Sequence, residues 1–428
     1  MNQLRQPKLG EPAFTIPSGD GDRLFHFGPY GRHLETTDAV TGVRLHAFDY
    51  DENGRLLAIR DADDRATTIS RDADSTPTAI TSPDGQITQL ELDAEGWLNC
   101  VIEPNGAEWG IACTADGLLT ALTTPNGDAS TIAYDELGRL TRDTNPAGGE
   151  VTLTRSKDAT ATTITVTDGE GRVETYLRET YPDVTRRRTE NNADGSQAAT
   201  YFEADGSQVR TTADGTVTRR GYAPDPRFGE ASTYLAETVT TTPGGLVQTV
   251  NVTETATLAD PGDIFSVTRY AIDRTRNSVT ASTVYDAATR THTQTSPAGR
   301  ESVSEIDAHG HVICGSRPGR ASDYFSYDAQ GRLLERRQGE ANDPEARVTS
   351  FSYDAQGQLT TLTDAENQSH QFTYDANGRV LTSTRPDGET VSFSYDANGN
   401  LRTTGSGLPL LHILYHLLAS NHGTTTPH

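Results

Sequence analysis

The chain has 428 residues, 33% of them hydrophobic, and a formal net charge of −24. That acidity leaves phosphate backbones and anionic membranes without a basic surface to bind, which excludes nucleic acid as a partner. No run approaches the roughly 18 apolar residues of a membrane span, and the opening MNQLRQPKLGEPAF lacks the apolar stretch of a secretory signal.

Residues 1–28, interrupted by Pro7, Pro12 and Pro17, read as an irregular entry arm before the ordered part of the chain. A regular block follows over 29–155. It begins with a shortened copy, YGRHL at Tyr30, and becomes legible at YDENGRL, with Tyr50, Asp51, Gly54 and Arg55. The same phase recurs at positions 71, 92, 113 and 134, each 21 residues on, and the last of these is YDELGRL with Tyr134, Asp135, Gly138 and Arg139. A second turn lies about ten residues after each opening, as Pro83-Asp84-Gly85, Pro104-Asn105-Gly106, Pro125-Asn126-Gly127 and Pro146-Ala147-Gly148. Between turns, apolar and polar residues alternate with period two, as in GEVTLTR. A fixed short period sets the architecture before any other consideration, and this pattern predicts a chain of antiparallel hairpins.

Over 156–284 the phase is lost while β character continues, with half-repeats at ADGSQ and ADGTV. The stretch Gly221 to Thr233, GYAPDPRFGEAST, is the least repeat-like and predicts a longer loop or small insertion. Regular repeats resume over 285–402. They include YDAQGRL (Tyr327, Asp328, Gly331, Arg332), YDAQGQL (Tyr353, Asp354, Gly357), YDANGRV (Tyr374, Asp375, Gly378, Arg379) and YDANGNL (Tyr395, Asp396, Gly399), with a five-residue insertion near Glu340 to Glu345. The tail 403–428 abandons alternation. Its apolar run Leu408 to Leu418 fits a short docking helix, or else a truncated or frame-shifted gene end.

The opening turn has a chemical logic. Its Asp side chain can accept a bond from the backbone two residues on, and its Gly takes the positive φ of a type I turn with a bulge. Read as a four-residue turn, the motif places Tyr50 opposite Arg55, Tyr134 opposite Arg139, Tyr327 opposite Arg332 and Tyr374 opposite Arg379, with ring stacked on guanidinium. Where the Tyr is replaced, the reading pairs Leu92 with Trp97 and Cys113 with Leu118.

These units resemble the RHS, or YD, repeats of bacterial polymorphic toxins, insecticidal toxin complexes and teneurin-like YD shells. The resemblance rests on YDxxGRL followed by a Pro-x-Gly turn at a 21-residue period, from about Tyr30 to Arg402. It implies an all-β fold in which a ribbon of hairpins spirals into an open or partial shell. It also implies a polypeptide cargo, released in the family by cleavage at a core motif. No such motif follows the repeats here, since Asp260-Pro261-Gly262 lies mid-array, and no toxin domain follows Leu401. About 20 repeats of two strands at roughly 4.8 Å make a ribbon of about 4,000 Å². Enclosing a globule of about 130 residues takes on the order of 5,000–6,000 Å², so the expectation is an open spiral.

Other chemistry is weakly signalled. The loops at Asp375 and Asp396 resemble the start of a calcium loop but lack a closing acidic residue. His412 and His416 share a helical spacing without a third ligand, and an aspartate recurring at every turn marks scaffold. Cys100, Cys113 and Cys314 read as buried, inert thiols, with a disulfide or metal as the alternative. No cofactor is called for. The function expected is a non-catalytic shell segment carrying a polypeptide or joining other shell segments, exported or cell-surface by a route without a visible signal peptide. The alternative is a secreted or surface-exposed binding module for carbohydrate or protein. A hydrolase is a third reading without a visible signature.

Overall fold

The structure, a computed structural model, describes residues 13–404 apart from 184, 341 and 342. Alternating apolar and β-branched residues between regular turns fold into 35 strands, and among the described residues there is no helix. Each strand pairs antiparallel with the strands before and after it in sequence. The result is one unclosed ribbon. A 21-residue period corresponds to a six-residue strand, a five-residue strand and two turns, as in Ile87–Leu92 with Leu98–Ile102 and Glu108–Cys113 with Leu119–Thr123. All YDxxG openings therefore fall along one edge, called here the opening edge. The Pro-x-Gly turns fall along the other, the proline edge.

Two expectations change where the repeats lose phase. The stretch 221–233 is not a loop insertion but the end of a long hairpin, Val217–Asp225 paired with Gly229–Thr241. Its tip is stabilised from within, because the Asp225 carboxylate accepts from the backbone N–H groups of Arg227 and Phe228. The entry arm, within its described part, is also a hairpin: Phe14–Pro17 pairs with Arg23–Phe27, and Phe14 stacks on Phe27 at 5.1 Å. Pro17 ends its strand where the turn begins, so its missing N–H costs no ladder bond.

A single sheet has no second layer to cover its faces, and few side chains are buried. Cys100, Cys113 and Cys314 are half-buried free thiols rather than core residues, for the same reason. Cys113 does occupy the tyrosine slot, opposite Leu119 as Tyr134 is opposite Leu140. Buried apolar side chains collect in two clusters. One joins Leu24, Ala39 and Phe228; the other joins Tyr270, Tyr285 and Ile306, with Val40 packed against it. Both place the N-terminal hairpins against strands some 200 residues away in sequence, so the ribbon has curled back on itself.

Most turns place glycine at the left-handed position, such as Gly54 at φ +81°, but Ser75 holds that conformation at +72° without glycine's freedom. Ser75→Gly is expected to stabilise its hairpin by about 0.5–1 kcal/mol, seen as slower amide exchange over 66–81; an unchanged exchange rate would count against strain at this turn.

Candidate functional site: the repeat lock, the clasp and the coil seam

The opening turn closes one residue tighter than the sequence suggests. Asp51 N–H donates to the Arg55 carbonyl at 2.9 Å and Gly54 N–H to the Asp51 carbonyl at 2.9 Å, leaving a three-residue loop. Asp and Arg therefore flank the loop, and a bulge sets Tyr50 opposite Leu56. The same shift sets Tyr134 opposite Leu140, Tyr327 opposite Leu333 and Tyr374 opposite Val380. Leu92 faces Leu98 and Cys113 faces Leu119, so the expected tyrosine–arginine and apolar pairs are each off by one.

The arginine instead meets its own aspartate. Asp51 Oδ1 accepts from the N–H groups of Asn53 and Arg55, and Oδ2 accepts from Arg55 Nε at 2.6 Å. Asp135, Asp328 and Asp375 repeat this set with Arg139, Arg332 and Arg379 at 2.7 Å. The Arg55 backbone bond holds the Asp51 carboxyl below its usual range, and the Arg139 guanidinium does the same for Asp135. Asp354, facing Gln358, keeps the backbone bonds alone. The turn Asp168–Arg172 has the full set as well, although Thr167 stands where a tyrosine would mark it.

Each tyrosine acts between repeats. The Tyr50 hydroxyl donates to the carbonyl of His33 in the preceding repeat, at 2.8 Å. Tyr134, Tyr327, Tyr374 and Tyr395 donate likewise to Leu119, Val312, Leu359 and Val380, fifteen residues back. Tyr353 spans the five-residue insertion and still reaches Leu333, at 2.8 Å. The guanidinium stacking expected within a hairpin occurs here: Arg332 lies 4.9 Å from the Tyr353 ring centroid and Arg379 4.7 Å from that of Tyr395. One side chain thus ties a hairpin to its predecessor through both a hydrogen bond and a cation–π contact.

Where the ribbon meets itself, the first contact is a buried clasp. Arg227 at the 225–229 tip ion-pairs with Asp225 at 2.8 Å, the two side chains 1% and 2% exposed. Its remaining N–H groups donate to the carbonyls of Ala39 at 2.8 Å and Gly21 at 2.9 Å on the N-terminal hairpins. The guanidinium lies between the rings of Phe228 and Tyr270, 4.6 and 4.4 Å from their centroids. The Tyr270 hydroxyl donates to Glu254 Oε2 at 2.5 Å, and burial pushes both the phenol and the carboxyl up. Ser232 closes the contact by donating to the Ser18 carbonyl at 2.7 Å.

Beyond the clasp, the proline edge of the first coil runs along the opening edge of the second. His309 Nδ1 lies 2.9 Å from the Ala62 carbonyl, and His311 bridges Asp63 and Asp307 at 3.2 and 3.1 Å. Asp63 lies against Gly331 and Asp84 against Gly357, where any Cβ would collide with a carboxylate. Asn105 N–H donates to Asn377 Oδ1 at 2.8 Å, and Asn126 N–H to Asn398 Oδ1 at 2.9 Å; both pairs are 272 residues apart. Asn377 also donates to Glu103, and Asn126 Nδ2 to Asp396 at 3.1 Å. The seam therefore keeps the repeat register across the coil. Asp375 and Asp396, the residues resembling calcium ligands, are occupied by turn bonds and this seam. His412 and His416 and the run Leu408 to Leu418 lie outside the described residues. Among those described, no three His, Cys, Asp or Glu side chains are grouped to hold a metal, and no helix is long and apolar enough to cross a membrane.

A family model described as Teneurin YD-shell matches residues 12–405. Among curated proteins no match was found. Of the solved structures, TcdB2-TccC3 without its hypervariable C-terminal region is 12% identical with a TM-score of 0.47, covering 92% of this chain and 27% of that one. TcdB2-TccC3-Cdc42 is 13% identical with a TM-score of 0.46, covering 93% and 28%. The Photorhabdus luminescens Tc holotoxin pore is 12% identical with a TM-score of 0.41, covering 93% and 27%. This chain spans less than a third of the length of each.

Two outcomes follow from the lock and the clasp. Burial raises the phenols of Tyr327 and Tyr374 to about 12, while an unfolded tyrosine ionises near 10. Their contribution to stability is full below about pH 10 and lost as pH climbs to about 12. Tyrosinate absorbance should show late-ionising phenols, with amide exchange in 312–380 accelerating over that window; ionisation of every phenol near 10 without structural loss would contradict the lock. Arg227→Met leaves the Asp225 carboxylate buried and unpaired. It is expected to cost about 3–5 kcal/mol, with exchange rising at 18–43 and 225–270 and not at 87–144.

Proposed function

Because this chain belongs to the teneurin YD-shell family, we propose that it is a wall segment that encloses a polypeptide and performs no catalytic step. The in-register seam is the observation that supports this best. About 23 strands separate Asn105 from Asn377, from Glu108–Cys113 to Ser369–Tyr374, and at roughly 4.8 Å each they give a circuit of about 110 Å. That corresponds to a bore about 35 Å across the backbone, or about 25 Å once side chains are allowed for.

A folded domain of about 100 residues has a radius of gyration near 13 Å and is about 34 Å across. It does not fit such a bore, whereas an extended chain or a hairpin does. The cargo on this reading is an unfolded polypeptide, and a larger enclosure would require further shell segments as partners. Short strands tied to their neighbours by the tyrosine lock suit a wall: they hold shape without a solid core that would fill the interior.

Protease protection tests the proposal. An unstructured reporter peptide fused after His428 should be digested about tenfold more slowly than in a fusion carrying Asn377→Ala and Asn398→Ala, which remove the seam bonds of two half-buried side chains. Equal digestion of the two fusions, with circular dichroism unchanged, would remove the cargo reading and leave only the wall.

A further inference from the structure

The seam joins the proline edge of the first coil to the opening edge of the second, so one edge of each coil faces away from it. On the outward proline edge, an open groove of about 900 Å³ spans the turns Ser296–Arg300 and Arg317–Arg320. Gln294, Ser296 and Pro297 contribute to its lining, together with Arg300, Arg317 and Arg320. These three arginines are exposed. None pairs with an acidic side chain among the described residues, in a chain whose net charge is −24. Arg274 and Arg276, at the neighbouring hairpin end, are exposed too and extend the basic rim.

The outward opening edge carries the opposite charge. A groove of about 540 Å³ spans the turns Asp72–Thr76 and Asp93–Trp97, and Asp72, Glu91, Asp93 and Glu95 line it. Among the described residues these carboxylates also lack an ion-pair partner. Each groove thus bridges two consecutive turns of one edge, 21 residues apart, with a rung spacing of about 10 Å set by two strands.

We propose that these rims dock on one another between copies of the chain, the Asp72–Glu95 groove of one copy seating on the Arg300–Arg320 groove of the next. The contact brings a proline edge against an opening edge, as the seam within one chain already does, and continues that interface in kind. Opposite charge supplies what the seam obtains from asparagine: orientation, and attraction over a distance. Because each copy uses one rim and offers the other, the contact is heterologous and does not close at a dimer.

Sedimentation velocity of the full chain tests this. At low ionic strength the mean mass should rise with concentration past that of a dimer, and salt should reverse it as the charges are screened. The triple variant R300E/R317E/R320E, altered only at exposed and unpaired side chains, should associate at least about tenfold more weakly. E91K/E95K should do the same, and an equimolar mixture of the two variants should regain association, since the unaltered acidic rim of one then meets the unaltered arginine rim of the other. A single monomeric species at every concentration in low salt would overturn the proposal. So would undiminished association of the arginine variant, or binding of poly-glutamate by a chain that stays monomeric. The salt dependence of the unmodified chain decides the matter even where a variant misfolds.

Discussion

The aspartate that closes each opening turn is the constraint on which the rest of this structure depends. By accepting two backbone N–H groups and one arginine Nε, the carboxylate of Asp51 or Asp375 fixes a three-residue loop. That loop fixes where both strands end, and strand ends fixed at a constant interval put every turn on a straight edge. Only then can one edge meet another 272 residues later with the same partners at successive rungs. A loop longer by one residue would shift the tyrosine off the preceding carbonyl and the asparagines off their partners at once.

Energetically the coil is held unevenly. The tyrosine lock acts between neighbours, as the energetics of repeat arrays require, and each hydroxyl contributes about 1 kcal/mol. The seam rungs are exposed or half-buried hydrogen bonds that compete with water, so each is weak alone. The clasp differs because Arg227 and Asp225 are shut away from solvent, and removing one partner strands the other. The fold thus places its most buried long-range contact at the 225–229 tip, within the stretch where the sequence has lost its repeat phase.

Much of this was legible in the sequence. The period, the edge-to-edge alternation of turns and the family resemblance all follow from residues counted along the chain. The tyrosine–arginine contact was legible in kind but not in place. A bulge of one residue separates a four-residue from a three-residue reading of the loop, and stacking onto the next repeat is invisible to an argument confined to one hairpin. Pro224, Pro226 and Gly229 made the clasp look like a loop, while the deciding fact, an arginine donating to two distant carbonyls, has no local signal. Asp168–Arg172 lacks the tyrosine that marks a repeat opening, although the D-x-x-G-R core alone carries the turn. The seam depends on curvature summed over many strands. Its trace in the sequence is the asparagine third in the turns at Asn377 and Asn398, where Gln330 and Gln356 stand in earlier repeats.

The five residues inserted near 340–345 fall between the rungs Asp63–Gly331 and Asp84–Gly357, on the edge that the seam does not use. Extra length there leaves the count of strands unchanged. Gauge is therefore quantised. Only whole hairpins alter the circuit, each adding about 10 Å of perimeter and so about 3 Å of diameter. A gain or loss of whole repeats acts on that same unit, which makes the calibre of such a coil adjustable in steps while its edges and its seam keep the same register.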